Sequence, residues 1–386
     1  MTSFKETLQT LGDVVSDRFD SLSSKLKQRL QYDEPIQIVP YAGYGNQQWV
    51  KISGRALEDK GLDQRQDEES LWQNLANAYQ RFESDEIPNL QLKLHFQGQT
   101  LELVTDQEGY FEASLPVSDL ASGGLWYDYQ IEVPAQEHLN VSCQPVTGKV
   151  QIPCPQCDFG IISDIDDTIM VTNATSTLSM MRLTFLRSPT SRLPFAGVNT
   201  FYQALTQSGS VPRPIFYVSS SPWNLYDFLE EFMELNNIPL GTLFLRDFGL
   251  HTLKASHHDH KFTYISQIMD SYPQLSFILI GDSGQHDPEV YSELVTHRPH
   301  QVKAIYIRDV SAEESRDSEV LRLAEKTREQ QIDLCLVENT VEAALHAVEK
   351  GYLPSSVLDQ LKADLAQTDT VRLQIEAAIQ HQDFEK

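Results

Sequence analysis

Residues 159–168 read FGIISDIDDT, an apolar run that ends in three aspartates and a threonine. Four similar apolar runs follow, separated by segments with the periodicity of amphipathic helices. These runs are PIFYVSSS (214–221), LSFILIGDS (275–283), VKAIYIRDV (302–310) and IDLCLVE (332–338). Continuous apolar strands that alternate with helices are typical of a parallel sheet covered on both faces. The pattern therefore predicts an α/β fold over residues 156–353.

The chain upstream of this domain has a different hydrophobic period. Apolar and polar residues alternate in short segments separated by Gly, Asp and Asn, as expected for strands joined by turns. The segments are IQIVPYAGYG (36–45), WVKISGRAL (49–57), LQLKLHFQGQTLELVT (90–105), GYFEASLPV (109–117) and YDYQIEVP (127–134), with a helix-like interruption at 70–86. They predict a small all-β sandwich domain over residues 36–155. The segment TDQEGYFEASL (105–115) resembles a strand pair of transthyretin-like sandwiches.

Helical patterns are also predicted at both ends of the chain. Residues 1–35 carry an apolar stripe at spacings of three and four residues, which indicates an amphipathic helix. This helix either packs on its own protein or lies on a membrane surface, where Lys25, Lys27 and Arg29 would suit lipid headgroups. The near balance of acidic and basic residues favours the first interpretation. Residues 354–386 are predicted to form an acidic helical tail.

The composition limits the classes of function. Acidic residues outnumber basic ones by 55 to 30, which gives a formal net charge of -25 and opposes nucleic-acid binding. No stretch approaches the ~20 apolar residues of a membrane-spanning helix, and the N-terminus lacks the pattern of a signal peptide. We therefore expect a cytoplasmic protein whose membrane contact, if it has one, is peripheral. An acidic lipid would have to be met by a local basic site or a metal ion.

Two clusters of potential metal ligands, one of cysteines and one of histidines, are not expected to bind a metal. Cys154 and Cys157 supply only half of a tetrahedral zinc site, so we expect an inert loop at the domain boundary. His257, His258 and His260 are interpreted as part of a solvated loop, because a hard divalent cation prefers oxygen ligands to histidine nitrogen.

Polar side chains stand at the ends of three predicted strands, and the carboxyl ends of parallel strands are where such sheets carry their sites. They are Asp164 and Asp166 after the first strand, Ser219, Ser220 and Ser221 at the end of the second, and Asp282 at the end of the third, followed by Asp287. A carboxylate directly after a strand can attack an electrophile, and one two residues further on can act as general acid and base. Clustered carboxylates repel each other unless a hard divalent cation binds them, which points to Mg²⁺.

This combination of motifs resembles the haloacid dehalogenase superfamily of phosphohydrolases, which combine DxDxT, a strand-end Ser or Thr, a Lys and DxxxxD. The resemblance is narrower over about residues 156 to 310, which look like the catalytic domain of the phosphatidate phosphatases known from actin-patch proteins and their bacterial relatives. The segments that carry it are SDIDDTI (163–169), RLPFAGVNTFYQAL (192–205), YVSSSPWNLYDFLEEF (217–232), LRDFG (245–249), HKFTYI (260–265) and ILIGDSGQHDPEVY (278–291). It implies a haloacid dehalogenase-like Rossmannoid sheet and Mg²⁺-dependent hydrolysis of phosphatidate to diacylglycerol and phosphate.

The resemblance also implies roles for the residues at the first two strand ends. Asp164 matches the nucleophile that forms an aspartyl-phosphate. Asp166 matches the acid and base that protonates the leaving alcohol and then activates water. Ser219 matches the hydroxyl that binds phosphate, although Ser220 and Ser221 follow at once and remain alternatives for that role.

The remaining motifs imply a cation and a positive charge. Lys261 matches the lysine that neutralises the phosphoryl group, with Lys254 as the competing choice. Mg²⁺ would be held by Asp282, by a carboxylate oxygen of the nucleophile and by the backbone carbonyl of the second motif aspartate, with Asp287 in support. Thr168 would brace the motif loop close to the substrate.

The segment after the first motif is the candidate for substrate selection. It reads STLSMMRLTFLRSPTSRLPF (176–195) and interleaves Leu, Met and Phe with Arg182, Arg187 and Arg192. Arginines beside an apolar surface can hold a phosphate head while acyl chains stay in a groove or membrane. The alternative is a helical lid that packs on the sheet. Three functions stay open: a phosphatidate phosphatase, a phosphatase for a soluble phosphomonoester, and a membrane-surface adaptor that only binds phosphate.

Overall fold

The computed structural model describes residues 35–59, 86–118, 120, 124–136, 144–170, 194–246 and 257–366. A β-rich region comes first and an α/β region follows, beginning with the strand at Gly160–Ser163. The predicted N-terminal helix and nearly all of the helix-like interruption at 70–86 lie outside the described residues, as do Lys254 and the three arginines of the substrate-selecting segment. The domain boundaries therefore stay predictions.

The β-rich region contains a strand in each predicted segment. Its strands are β1 (Ile36–Pro40), β2 (Gly43–Gly45), β3 (Trp49–Glu58), β4 (Gln91–Phe96), β5 (Gln99–Val104), β6 (Tyr110–Pro116), β7 (Trp126–Glu132) and β8 (Val146–Gln151). The sequence pattern missed β8, where Gly148 interrupts the alternation. The strand pairs are antiparallel except for β2 with β8, which are parallel.

Hydrogen bonds join these eight strands into one curled sheet. Its order is β1-β3-β2-β8-β7-β4-β5, and β6 pairs with β3. β5 and β6 lie in contact, and the Gln99 side chain donates a hydrogen bond to the Pro116 carbonyl at 2.9 Å. Alternate residues such as Ile52, Leu94 and Ile131 point into a shared core. The antiparallel β-rich region is thus confirmed, but its strands form one continuous sheet where the sandwich prediction has two.

The α/β region is built on a fully parallel sheet. Its strands are β9 (Gly160–Ser163), β10 (Ile215–Pro222), β11 (Thr242–Arg246), β12 (Phe277–Asp282), β13 (Val302–Arg308) and β14 (Leu334–Val337), in the order β11-β10-β9-β12-β13-β14. The parallel sheet is confirmed, although the sequence pattern missed the edge strand β11. Because β9 lies between β10 and β12, the three predicted strand ends are direct neighbours.

Helices cover both faces of this sheet, as predicted. They are α1 (Val198–Gln207), α2 (Tyr226–Leu235), α3 (His257–Ser271), α4 (Asp287–His297), α5 (Glu314–Arg328) and α6 (Thr340–Glu349). Buried residues of α1, α2 and α6 share one core with one face of the sheet, and those of α3, α4 and α5 share a second core with the other. The chain is helical again over 356–366, where Val357 and Leu361 join the first core. Residues 257–260 are the first turn of α3, so the interpretation of His257, His258 and His260 as loop residues is wrong.

Residues 41–46 of the β-rich region pack against both helical layers. The Ala42 amide donates a hydrogen bond to the hydroxyl of Tyr226 on α2 at 2.7 Å. On the other face, the Tyr272 hydroxyl, just after α3, donates to the Gly45 carbonyl at 3.0 Å. Tyr41 accordingly belongs to the first core of the α/β region. Among the described residues, no helix has the length and apolar character needed to span a membrane.

Candidate active site

The loop after β9 places Asp164 and Asp166 in the middle of the parallel sheet. The Asp164 amide donates a hydrogen bond to the Ile280 carbonyl at 2.9 Å, which holds the start of the loop on β12. The chain then turns back within five residues, with Asp167 in the left-handed region at a φ of 53°. Aspartate tolerates this region better than most residues. Both predicted catalytic carboxylates are consequently buried at the carboxyl end of the central strand.

Lys261 on α3 joins two of the buried carboxylates. Its Nζ lies 2.8 Å from Asp164 Oδ1 and 2.5 Å from Asp287 Oδ1. Burial alone would lower the pKa of Lys261, but the carboxylates of Asp164, Asp287 and Asp282 outweigh that effect and raise it. Lys261 is therefore a fixed positive charge beside the predicted nucleophile.

A tight turn between β12 and α4 sets the positions of Asp282 and Asp287. The amides of Gly284 and Gln285 donate hydrogen bonds to Asp282 Oδ1 at 2.7 and 2.9 Å. The Asp282 amide in turn donates to Asp287 Oδ2 at 3.2 Å. A Cβ atom at Gly281 would lie 2.7 Å from the Cβ of Asp287. Glycine is therefore needed at this position so that Asp287 can approach the strand.

Two of the three strand-end serines face Asp166. The Ser219 hydroxyl donates to Asp166 Oδ2 at 2.7 Å, and the Ser221 hydroxyl contacts the same oxygen at 3.2 Å. The Ser221 amide also donates to Ser219 Oγ at 2.9 Å. Side chains alternate along a strand, so Ser219 and Ser221 share one face of β10 while Ser220, which is half-buried, belongs to the other.

The buried carboxylates carry more negative charge than Lys261 can balance. Burial raises the pKa of Asp164 well above its usual range, and Lys261 only partly offsets this effect. Burial, reinforced by Asp287, raises the pKa of Asp282 to about 8. When Asp164, Asp282 and Asp287 are ionised, one ammonium leaves an excess of two negative charges. Burial also raises the pKa of Asp166, although the hydrogen bond from Ser219 opposes it.

This cluster fits a divalent cation. Carboxylate oxygens of Asp164, Asp282 and Asp287 lie within 4.8 Å of one another. Asp164 Oδ2 and Asp282 Oδ2 are buried and have no hydrogen-bond partner. Unpartnered buried acceptors are costly, and hard divalent cations prefer carboxylate oxygens. The excess negative charge and the free acceptors both match such an ion.

The structure places two further residues, Arg308 and His260, beside the site, and the sequence did not indicate either of them as a site residue. Thr168 is buried with its hydroxyl unpartnered, and its carbonyl accepts a hydrogen bond from Arg308 Nε at 3.3 Å. The His260 ring lies with Nε2 3.4 Å from the Ser219 carbonyl. Ser221 follows from strand alternation once Ser219 is placed, but no sequence signal distinguishes His260 or Arg308 from other polar residues.

Fold and site together define an α/β protein with a buried carboxylate and lysine centre at the carboxyl ends of its parallel strands. Residues 159–309 match the family described as "Phosphatidate phosphatase APP1, catalytic domain". The predicted resemblance is thereby confirmed over residues 159–309, which are similar to an APP1-type catalytic domain. Strands β9, β10 and β12 and helix α3, which supply the site, all lie within the matched segment.

Individual relatives agree with the family match. The chain is 33% identical over 224 residues to Phosphatidate phosphatase APP1 of Saccharomyces cerevisiae, which covers 56% of this chain and 37% of the yeast protein. It is 29% identical over 158 residues to an uncharacterized protein of Schizosaccharomyces pombe, covering 40% of this chain and 26% of that protein. The chain thus spans 37% of the length of the yeast protein and 26% of the length of the Schizosaccharomyces pombe protein.

Solved structures show only distant similarity to this chain. A carbohydrate acetylesterase from Xanthomonas citri covers 76% of this chain and 75% of its own, but with 11% identity and a TM-score of 0.27. A similarity at that level does not establish a shared architecture.

Proposed function

We propose that this chain is a Mg²⁺-dependent phosphatidate phosphatase of the haloacid dehalogenase type, which hydrolyses phosphatidate to diacylglycerol and phosphate. The observation that carries the proposal is the meeting of Asp164, Asp166, Lys261 and Asp282 at neighbouring strand ends, inside the segment that matches the APP1 catalytic domain. The substrate class comes from the name of the yeast relative.

In the first half of the reaction, Asp164 attacks the phosphorus atom. A bond forms between its carboxylate oxygen and phosphorus, and the ester bond from phosphorus to the glycerol oxygen breaks. Asp166 donates its proton to the departing oxygen. The raised pKa of Asp166 favours the protonated form that this step requires.

In the second half, water releases the phosphate. Asp166, now ionised, removes a proton from a water molecule whose oxygen attacks the phosphorus. The bond between phosphorus and Asp164 breaks, so inorganic phosphate leaves and both carboxyl groups return to their first state. One side chain can serve both halves because the proton it loses in the first is regained in the second.

The surrounding charges position the phosphoryl group. Lys261 holds Asp164 Oδ1 and provides a fixed cation for the transferred group. Asp164, Asp282 and the backbone carbonyl of Asp166 would hold Mg²⁺, which when bound supplies further positive charge to the phosphoryl oxygens. Asp287 orients Lys261 and the turn that carries Asp282.

We propose that the arginine-containing segment selects the substrate. The predicted N-terminal helix would add membrane binding only on its less favoured interpretation, in which it lies on a membrane surface, and the deletion below tests that interpretation. Arg182, Arg187 and Arg192 alternate with apolar residues, a composition suited to a lipid headgroup at a surface. Replacing all three by Gln should impair hydrolysis of both vesicle-bound and dispersed phosphatidate. Removing residues 1–31 should weaken vesicle binding alone. Equal activity of the arginine variant on dispersed lipid would make the segment an ordinary lid.

The proposed function is tested by phosphate release from phosphatidate in mixed micelles, beside a panel of soluble phosphate esters, with Mg²⁺ and with chelator. The expected result is Mg²⁺-dependent hydrolysis that favours phosphatidate and is lost in Asp164→Asn. Equal or better rates on soluble esters would instead indicate a general phosphomonoesterase. Phosphatidate binding without turnover in any condition would indicate an adaptor.

A further inference from the structure

Arg316, near the start of α5, contacts the backbone turn that follows Asp282. Its Nε donates a hydrogen bond to the Ser283 carbonyl at 2.7 Å, and Nη2 donates to the Gln285 carbonyl, also at 2.7 Å. These two carbonyls flank Gly284 on either side. One guanidinium therefore spans the whole turn between the strand-end aspartate and α4.

The guanidinium is itself held in place by acidic residues. Glu289 on α4 accepts hydrogen bonds from both Nη1 and Nη2, the latter at 3.0 Å, and Glu319 accepts from Nη1 at 3.3 Å. With the two carbonyls, these contacts use all five N–H donors of the arginine. Bidentate pairing with a carboxylate fixes orientation as well as position. Arg316 thus holds the turn rigidly against α4.

A second set of bonds holds the same turn from the opposite side. The Ser283 hydroxyl donates to Asp309 Oδ1 at 3.1 Å and accepts from the Val310 amide at 3.0 Å. The turn is therefore fixed between the loop after β13 and the start of α5.

We propose that Arg316 is a positioning residue for the cation site, because it holds the turn whose amides orient Asp282. The amides of Gly284 and Gln285 bind Asp282 Oδ1, and this leaves Oδ2 as the free acceptor beside Asp164 and Asp287. Without the guanidinium, the carbonyls of Ser283 and Gln285 lose their donors and the turn can rearrange. The inference rests on the proposed function only in taking the carboxylate cluster as a cation site.

The test measures binding of Mn²⁺ alone to the full chain by electron paramagnetic resonance, so that no turnover is needed. Arg316→Gln should weaken Mn²⁺ binding roughly 10–100-fold, the range seen when residues that support metal ligands are lost. Arg316→Lys should bind Mn²⁺ more tightly than Arg316→Gln but more weakly than the unaltered protein, because an ammonium cannot bridge two carbonyls and a carboxylate in one plane. Arg322→Gln is the matched control, since it removes the same charge from an exposed position of the same helix.

Hydrogen exchange of a peptide covering residues 281–287 provides a second readout. Arg316→Gln should exchange faster there while its melting temperature stays near that of Arg322→Gln. Mn²⁺ affinity within twofold of the unaltered protein, or unchanged exchange in that peptide, would overturn the proposal. If Arg316→Gln does not fold, Ser283→Ala tests the same turn from its other side and should weaken Mn²⁺ binding in the same direction. Failure of the unaltered protein to bind Mn²⁺ would overturn the proposed function and the role of Arg316 at a cation site. Faster exchange in Arg316→Gln would then still show that Arg316 holds the turn, and unchanged exchange would overturn that as well.

Discussion

Ser219 donates a hydrogen bond to Asp166, with its Oγ 2.7 Å from the Oδ2 of the carboxylate. This bond favours the ionised form of Asp166 and opposes the rise of its pKa that burial causes. It links the residue predicted to bind phosphate with the residue predicted to move protons. Ser219 therefore orients the proposed general acid and base before substrate arrives.

The three strand-end serines should differ in their effect on activity. Ser219→Ala is expected to lower kcat/KM by roughly 10–100-fold, because hydrogen bonds to charged groups are each worth about 1.5–3 kcal/mol. Ser221→Ala should cost less, since its contact to Asp166 is longer at 3.2 Å. Ser220→Ala should stay close to the unaltered enzyme. Steady-state kinetics on phosphatidate micelles would compare the three, and a largest loss at Ser220 would place the phosphate on the other face of β10.

The two motif aspartates should fail in different ways when each is changed to Asn. Asp164→Asn removes the proposed nucleophile, so turnover should disappear on every substrate. Asp166→Asn should reduce kcat by roughly 10²–10⁴-fold on phosphatidate, the usual contribution of general acid and base catalysis. An aryl phosphate, whose leaving group needs no proton, should then accumulate phosphoenzyme that acid quenching can trap. A normal steady-state rate in Asp166→Asn would assign proton transfer to another group.

Asp282 should make cation binding depend on pH. Because the pKa of Asp282 is raised to about 8, protons compete with the cation below that pH. Titration calorimetry with Mg²⁺ should show affinity rising from pH 6.5 towards about 8.5. Asp282→Asn, which keeps the acceptor for the Gly284 amide, should bind Mg²⁺ much more weakly at all these pH values. A Mg²⁺ affinity that does not depend on pH in the unaltered protein would contradict the raised pKa of Asp282.

The same shift has a consequence for stability without metal. A folded-state pKa raised above the unfolded value means that the folded protein binds more protons between about pH 4 and about pH 8. The contribution of Asp282 to stability therefore falls as pH rises through that window. In chelator, the melting temperature of Asp282→Asn minus that of the unaltered protein should increase as pH rises through this window. A constant difference between the two proteins would show that Asp282 is not the group responsible.

Sequence periodicity predicted the parallel sheet because its strands are buried on both faces and read as continuous apolar runs. It did not predict β8, where Gly148 breaks the alternation. A Cβ at Gly148 would lie within 2.7 Å of the Tyr129 ring, so the glycine makes room for an aromatic side chain on the neighbouring strand. Contacts between strands of this kind leave no periodic pattern. The curling of the β-rich sheet was unpredictable for the same reason.

The meeting of Asp164, Asp166 and Asp282 at one edge of the sheet was predictable, because motifs at fixed spacing place them at neighbouring strand ends; their catalytic roles stay predictions. Resemblance rather than spacing indicated Lys261, which lies on a helix far along the chain from Asp164. Arg316 was not predictable, because it binds backbone carbonyls that every residue has. Its role depends on how α5 packs beside the turn, which is a property of the folded chain.

The β-rich region contacts the turn after the strand-end serines of the candidate site. The Tyr226 hydroxyl accepts a buried hydrogen bond from the Ala42 amide at 2.7 Å. Next to it, the Tyr41 ring stacks on Trp223, which lies in the turn between Ser221 and α2. Tyr226→Phe leaves that amide unpaired, so we expect a loss of about 1–3 kcal/mol in the free energy of unfolding. Because the turn after the strand-end serines rests on this contact, kcat/KM should fall as well.

Tyr352→Phe is the control for this variant, since it removes a hydroxyl bond to the Lys303 carbonyl on another part of the α/β region. It should lower stability without lowering kcat/KM at a temperature where both variants are folded. Urea denaturation would give the stability change, and kinetics at saturating Mg²⁺ would give the activity. If Tyr226→Phe loses stability but keeps full activity, the β-rich region supports the fold without setting the geometry of the strand-end serines. If both fall together and the control loses stability alone, residues 41–46 are part of what positions the active site.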